Sequence, residues 1–321
     1  MSTWQHLAVA IANPMSDKQT AIRKATEIAQ RCKARVTLYH AFSLPYPLSN
    51  PEPTNGKEAI TAAKHSLLAE LQKLSKPLLE KGINVSCVVE WDFPIDEAII
   101  GFVVKHKPDI LIADSHHHSR VGRWLFANID WELIKGCPCP IWFVKSDRSA
   151  IDMPLLAAIN PFDTLGRNSQ IDDQVITVAN SVLTNTGGYL KVVHSYQAPL
   201  STDESNLIEP FRLPIASKRR RSYISRIKSG MDDFALSHGI KSEDCFIEEG
   251  EPTEVICDVV EKTNTGLLVL GTVNQRQHEL TFISHLAEKL IDKVDCDLLI
   301  IKPPGFSVGV GHQCAETLIH I

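Results

Sequence analysis

The chain has 321 residues, 44% of them hydrophobic and 22% charged, with a formal net charge of −5. That length suits about two domains with substantial apolar cores. The acidic balance argues against a nucleic-acid partner held by bulk electrostatics, and no apolar run approaches the roughly 20 residues that span a bilayer.

The first segment, from Met1 to His6, leads directly into a strand-like run without the basic and apolar regions of a signal peptide. The expected compartment is therefore the cytoplasm. His6–Pro14 is an apolar run stopped by Asn13-Pro14, and Leu155–Pro161 is stopped in the same way by Asn160-Pro161. Both read as buried parallel strands. A helix pattern follows each, with Ile22, Ala25, Ile28 and Ala29 on one face in the first. Second strands are expected at Ala34–Phe42 and Gly188–Tyr196, carrying His40 and His194 near their ends. The connections Ser43–Asn55 and Gln197–Pro214 exceed common loop lengths and read as surface excursions. Long helices are expected at Lys57–Lys81 and Ser217–His238, and third strands at Asn84–Glu90 and Asp244–Glu249. Pro94 and Pro252 stand where a helix would begin. Fourth strands at Ile110–Ala113 and Leu267–Leu270 precede a loop and helix, and Ile141–Val144 and Leu298–Ile301 close each series.

The chain thus reads as β-α-β-α-β-α-β-α-β, twice. Glu97, Ile99, Val103, Lys105, Leu111, Leu133, Ile134, Cys139 and Lys145 recur at one fixed separation as Glu254, Ile256, Val260, Lys262, Leu268, Leu290, Ile291, Cys296 and Lys302. A gapless register of this length points to duplication of a whole domain. The expected fold class is α/β, with two doubly wound, parallel, five-stranded Rossmann-like sheets in tandem. The expected divisions are a first domain 1–147, a second domain 153–304 and a C-terminal tail 305–321.

In such sheets ligands sit beyond the strand C-termini at the switch of strand order. That directs attention to the loops Ala113–Arg120 and Leu270–Arg276. Leu267–Val273, the ending Ala287–Pro303 and Asp130–Lys145 resemble the universal stress protein family, and the resemblance extends over nearly the whole chain. It implies an adenine nucleotide alpha hydrolase-like fold. Nucleotide-binding members carry Gly, two residues, Gly, nine residues, then Gly and Ser or Thr. Glycines let backbone N–H groups close around phosphate, and the final pair opens a helix. The corresponding positions in the first copy are Asp114, His117, Ala127 and Asn128, with every glycine replaced. In the second they are Gly271, Asn274, Ser284 and His285, with one glycine kept. The aspartate usual at the end of strand one is Asn13 or Asn160 here. Asn160, His194, Gly271, Thr272, Asn274, Ser284 and His285 are the candidate residues for ATP or another nucleotide-like ligand in the second domain.

His116, His117 and His118, with Asp114, form a candidate zinc site in the first domain. Consecutive residues cannot all aim at one point, so a solvated loop is the competing reading. His40 and His194 also read as strand-end histidines bonded to backbone. The run Lys218–Arg221 lies in an amphipathic helix and reads as its solvated face. Trp142 is expected at a domain interface, and Trp124 and Trp131 in the core. Of the eight cysteines, Cys137 and Cys139 form a Cys-Pro-Cys-Pro run that matches structural zinc spacing poorly. All are expected to be reduced.

No nucleophile–base pair, nucleophile elbow or P-loop is readable. The leading expectation is a non-enzymatic stress-response protein that senses a small-molecule ligand or serves as an interaction platform. The alternatives are an ATP-binding protein with slow ATPase activity in the second domain, and a zinc site in the first. The resemblance further implies intramolecular pairing of the domains through their last strands about a pseudo-twofold axis, which would satisfy two open sheet edges. A homodimer of the whole chain could form in addition.

Overall fold

The computed structural model describes residues 4–43, 55–115, 127–162, 169–197, 212–272 and 282–306. The first half contains β1 (His6–Ala10), α1 (Thr20–Cys32), β2 (Arg35–Phe42), α2 (Asn55–Glu80), β3 (Val85–Trp91), α3 (Ile95–His106), β4 (Ile110–Asp114), α4 (Ala127–Gly136) and β5 (Ile141–Val144). The second repeats it with β6 (Pro154–Ala158), α5 (Ser169–Thr186), β7 (Tyr189–Tyr196), α6 (Arg212–Ser237), β8 (Cys245–Glu249), α7 (Pro252–Lys262), β9 (Leu267–Gly271), α8 (Phe282–Lys293) and β10 (Asp297–Ile301). Pro252 occupies the first turn of α7, and the Glu251 carboxylate accepts the N–H of Glu254 there. Pro94 instead lies just before α3.

The strands among the described residues form one ten-stranded sheet in the order β3-β2-β1-β4-β5-β10-β9-β6-β7-β8. Each half is a parallel, doubly wound set of five. The two sets meet where β5 and β10 run antiparallel, with Trp142 opposite Leu299. This pairing satisfies the backbone groups that two separate sheets would leave at open edges.

Alternation along the strands divides the interior into two layers. Leu7, Val9, Trp142, Leu155, Val269 and Leu299 face one layer, in which α1 lies against α5. Ala8, Leu111, Phe143, Leu156, Leu268 and Leu298 face the other, in which α4 lies against α8. Both layers run without interruption from one half into the other.

Polar groups complete the join. Lys145 Nζ crosses to the end of α8, donating to Ile291 O (2.6 Å) and to Val294 O. In mirror image, Lys302 Nζ crosses to Ile134 O near the end of α4 and donates to Thr272 Oγ1 (2.9 Å). Helix C-termini carry unpaired carbonyls and a partial negative charge, which a cation satisfies. One further cluster has no counterpart. The fully buried Asp297 carboxylate pairs with fully buried Lys24 of α1. It also accepts from Trp142 Nε1 (2.8 Å), Lys145 N (3.0 Å), Ser146 N (3.0 Å) and Ser146 Oγ (3.1 Å).

Among the described residues no helix is long and apolar enough to cross a membrane, and every cysteine is a free thiol. The Cys137 and Cys139 sulfurs stand 3.8 Å apart. Arg220 pairs with Glu249 at 2.6 Å on an exposed face, as a solvated helix surface would have it.

Candidate functional site

The strand order reverses between β1 and β4 and again between β6 and β9. Each half therefore has a crevice beyond the C-terminal ends of those strands, where a doubly wound sheet ordinarily takes its ligand.

In the first crevice Asp114, the last residue of β4, is half-buried. Its Oδ1 accepts the N–H of Ala21 in the first turn of α1 (3.1 Å). A helix N-terminus is where an external anion would otherwise bind, and a carboxylate already occupies this one. Ser115 donates to Asp130 (3.3 Å), which is fully buried. Beside these groups, on the α3 and α4 side, lies an apolar cavity of about 40 Å³. Its walls are Ala10, Ile11, Ala12, Tyr39, Ala41, Ile95, Ile99, Ala113, Ile129 and Leu133. Tyr39 is the single polar group among them, and its hydroxyl donates to Glu90 (2.8 Å).

The second crevice is built differently. Gly271 ends β9, and a Cβ there would stand 2.4 Å from Ile171 Cγ1 and 3.1 Å from Val175 Cγ2. Glycine is thus required by the close approach of α5. Thr272 is buried; its N–H donates to Ile301 O (2.8 Å), and its hydroxyl receives Lys302. This residue belongs to the join. Asn160 is exposed after β6, with its backbone N–H on Asp172 Oδ1 (3.1 Å). Both crevices therefore hold a carboxylate of their own against a backbone N–H.

The strand-end histidines have matching positions. His40 donates from Nδ1 to Ile11 O (2.7 Å) and His194 from Nδ1 to Ile159 O (3.1 Å). A carbonyl can only accept, so in both rings the proton sits on Nδ1 and Nε2 is left as an acceptor. Burial holds both imidazoles below their ordinary pKa, against the opposing pull of that carbonyl, and keeps them neutral near pH 7. The Phe162 ring packs against His194 at 4.9 Å.

Other candidates separate. His116, His117, His118 and Trp124 lie outside the described residues, as does Asn274. Ser284 and His285 fall in the first turn of α8. No cluster of three or more His, Cys, Asp or Glu side chains able to hold a metal occurs among the described residues. Sequence reasoning missed Asp172 and Ile171. The only available signal was their position in the first turn of the helix after strand one, facing a glycine about a hundred residues away.

A model of the universal stress protein family matches residues 3–145 and again 166–302. The chain belongs to that family. It is 29% identical over 318 residues to universal stress protein E of Photorhabdus laumondii, covering 95% of this chain and 97% of the relative. It is 28% identical over 320 residues to universal stress protein E of Escherichia coli, covering 97% and 98%. Among solved structures, a Pseudomonas aeruginosa protein described as a universal stress protein superposes with a TM-score of 0.70 at 20% identity, covering 94% of each chain. One from Archaeoglobus fulgidus gives 0.62 at 15% identity, covering 92% and 96%. Those two likenesses establish the tandem fold.

Proposed function

We propose that this chain is a cytoplasmic stress-response protein that works without catalysis, as a small-ligand sensor or interaction platform. Its two domains, 1–147 and 153–304, would act as one internally paired unit. The observation that carries the reading is the carboxylate in each crevice, Asp114 on the N–H of Ala21 and Asp172 on the N–H of Asn160. A phosphate chain arriving there would meet like charge where a nucleotide binder offers free N–H groups. The cavity beside Asp114 is walled by apolar side chains and has room for about one or two water molecules, not for a phosphate chain. Gly271 and Thr272 are accounted for by packing against α5 and by the join, without a nucleotide.

Native mass spectrometry of the full chain purified from its own host tests this. The expected result is a retained small molecule without phosphate, lost on Ala113→Trp, which fills the first crevice. An adenine nucleotide retained by the Lys33→Gly/Lys107→Asn variant as well, and lost on Asn160→Leu or Ala113→Trp, would overturn the proposal.

A further inference from the structure

A concavity lies at the opposite end of the sheet from both crevices. It is open to solvent, encloses about 670 Å³, and is walled by the N-terminal ends of the first-half strands and the C-terminal ends of their helices. Lys33, Arg35 and Lys107 stand around it, with Asn84 and Gln5 between them and buried Trp4 beneath. None of the three cations forms an ion pair among the described residues. The one carboxylate in the wall, Asp109, is engaged. Its Oδ2 accepts the N–H groups of Gln5 (2.7 Å) and His6 (2.8 Å). His6 is buried and orients Arg35, whose guanidinium donates to His6 Nδ1 (3.2 Å) while His6 Nε2 donates to Thr37 Oγ1 (2.8 Å). The remaining guanidinium donors stay available to a guest.

The two lysines occupy backbone positions that ordinarily exclude them. Lys33 (φ 57°) and Lys107 (φ 46°) are the left-handed residues that end α1 and α3. At the same places the second half uses Gly187 (φ 80°) and Asn264 (φ 50°), the residue types that tolerate this geometry. A cation near a helix C-terminus needs no such position, because Arg31, Lys105 and His106 already stand in the last turns. In the second half the equivalent ground is covered. Arg31 donates to Thr186 O (3.0 Å), Arg148 holds the Asn264 side chain (2.9 Å), and Asp152 stands against Gly187. Only the first half leaves its caps uncovered and puts charge on both.

We infer that Lys33, Arg35 and Lys107 form a binding site for a small phosphorylated compound carrying at least two negative charges. Arg35 supplies a planar fork of donors to one phosphoryl group, and the lysines act as point charges on the rest. The concavity is within the size range of small-molecule sites. Linear polyphosphates and the phosphoryl tail of a nucleotide share this chemistry.

Calorimetric titration of the full chain with sodium tripolyphosphate, at ionic strength matched with sodium chloride, tests the site. Parallel titrations with ADP and with inorganic phosphate distinguish the sources. Saturable binding of tripolyphosphate or ADP is expected, weakened about tenfold or more in the Lys33→Gly/Lys107→Asn double variant. That variant installs the residues the second half uses, so its unliganded thermal midpoint should equal or exceed that of the parent. Arg35→Gln gives a second, independent loss of binding. Absence of saturable binding, or binding of unchanged strength in both variants, would overturn the inference. Binding that survives in both belongs to another crevice. It would count against the sensor reading above as a separate failure.

Discussion

Lys145 and Lys302 perform one task in mirror image, each crossing to helix carbonyls of the other half. Asp114 and Gly271 also hold equivalent places, at the ends of β4 and β9, yet they do unrelated things. One caps α1 and the other makes room for α5. The difference lies in what each place demands. At the join, buried helix carbonyls need a donor, and a lysine that reaches them has few substitutes. At the crevices, solvent or a ligand can satisfy whatever the loops leave open, so the two copies were free to diverge.

The join can be broken most severely at its unrepeated cluster. Asp297→Ala leaves fully buried Lys24 without its carboxylate and should cost about 3–5 kcal/mol in urea unfolding. A loss below 1 kcal/mol would mean that the halves hold together without the cluster. The mirrored lysines come next. Lys145→Met and Lys302→Met should each cost about 1–3 kcal/mol, because each leaves helix carbonyls unpaired.

The lysine pair also predicts a pH signature. Burial lowers the Lys302 pKa to about 8, with Cys137 pulling weakly the other way, from an ordinary value of 10.5. The folded chain therefore gives up this proton before the unfolded chain does. The Lys302 contribution to stability is flat below pH 8 and rises with pH between about 8 and 10.5. Across that window the stability of the parent should rise relative to that of Lys302→Met, which keeps only the Lys145 share. Lys145 is lowered in the same direction by the same cause, so an identical profile for parent and Lys302→Met would break the mirror comparison.

The crevices predict smaller effects. Gly271→Ala places a Cβ against Ile171 Cγ1 and should cost about 1–3 kcal/mol, a cost that shrinks in an Ile171→Ala background, where that atom is gone. No change on Gly271→Ala would remove the packing explanation of that glycine. Asp114→Ala removes the carboxylate at the start of α1 and should cost about 1 kcal/mol.

Much of this architecture was legible in the chain. Strand after strand could be placed because buried parallel strands are continuous apolar runs, as in Ile141–Val144, which matches β5. Pro252 marked the first turn of α7 for a local reason, its fixed backbone angle. Trp142 could be assigned to the interface because its strand closes the repeat. The uses of the repeated residues were less visible. Lys145 and Lys302 stood out as a matched pair, but their partners lie across the join and leave no local trace. Gly271 read as part of a phosphate cradle by family pattern, whereas its close neighbour is Ile171, about a hundred residues earlier. Lys33 and Lys107 carried no signal at all, since a left-handed cap is a backbone property that sequence periodicity does not register.

The central claim is that both crevices are closed to a phosphate chain by the protein's own groups. Calorimetric titration with magnesium ATP, in a Lys33→Gly/Arg35→Gln/Lys107→Asn background that removes all three cations at the opposite end of the sheet, tests it most directly. The account predicts no saturable heat. Saturable micromolar binding, abolished by Asn160→Leu or by Ala113→Trp, would contradict it.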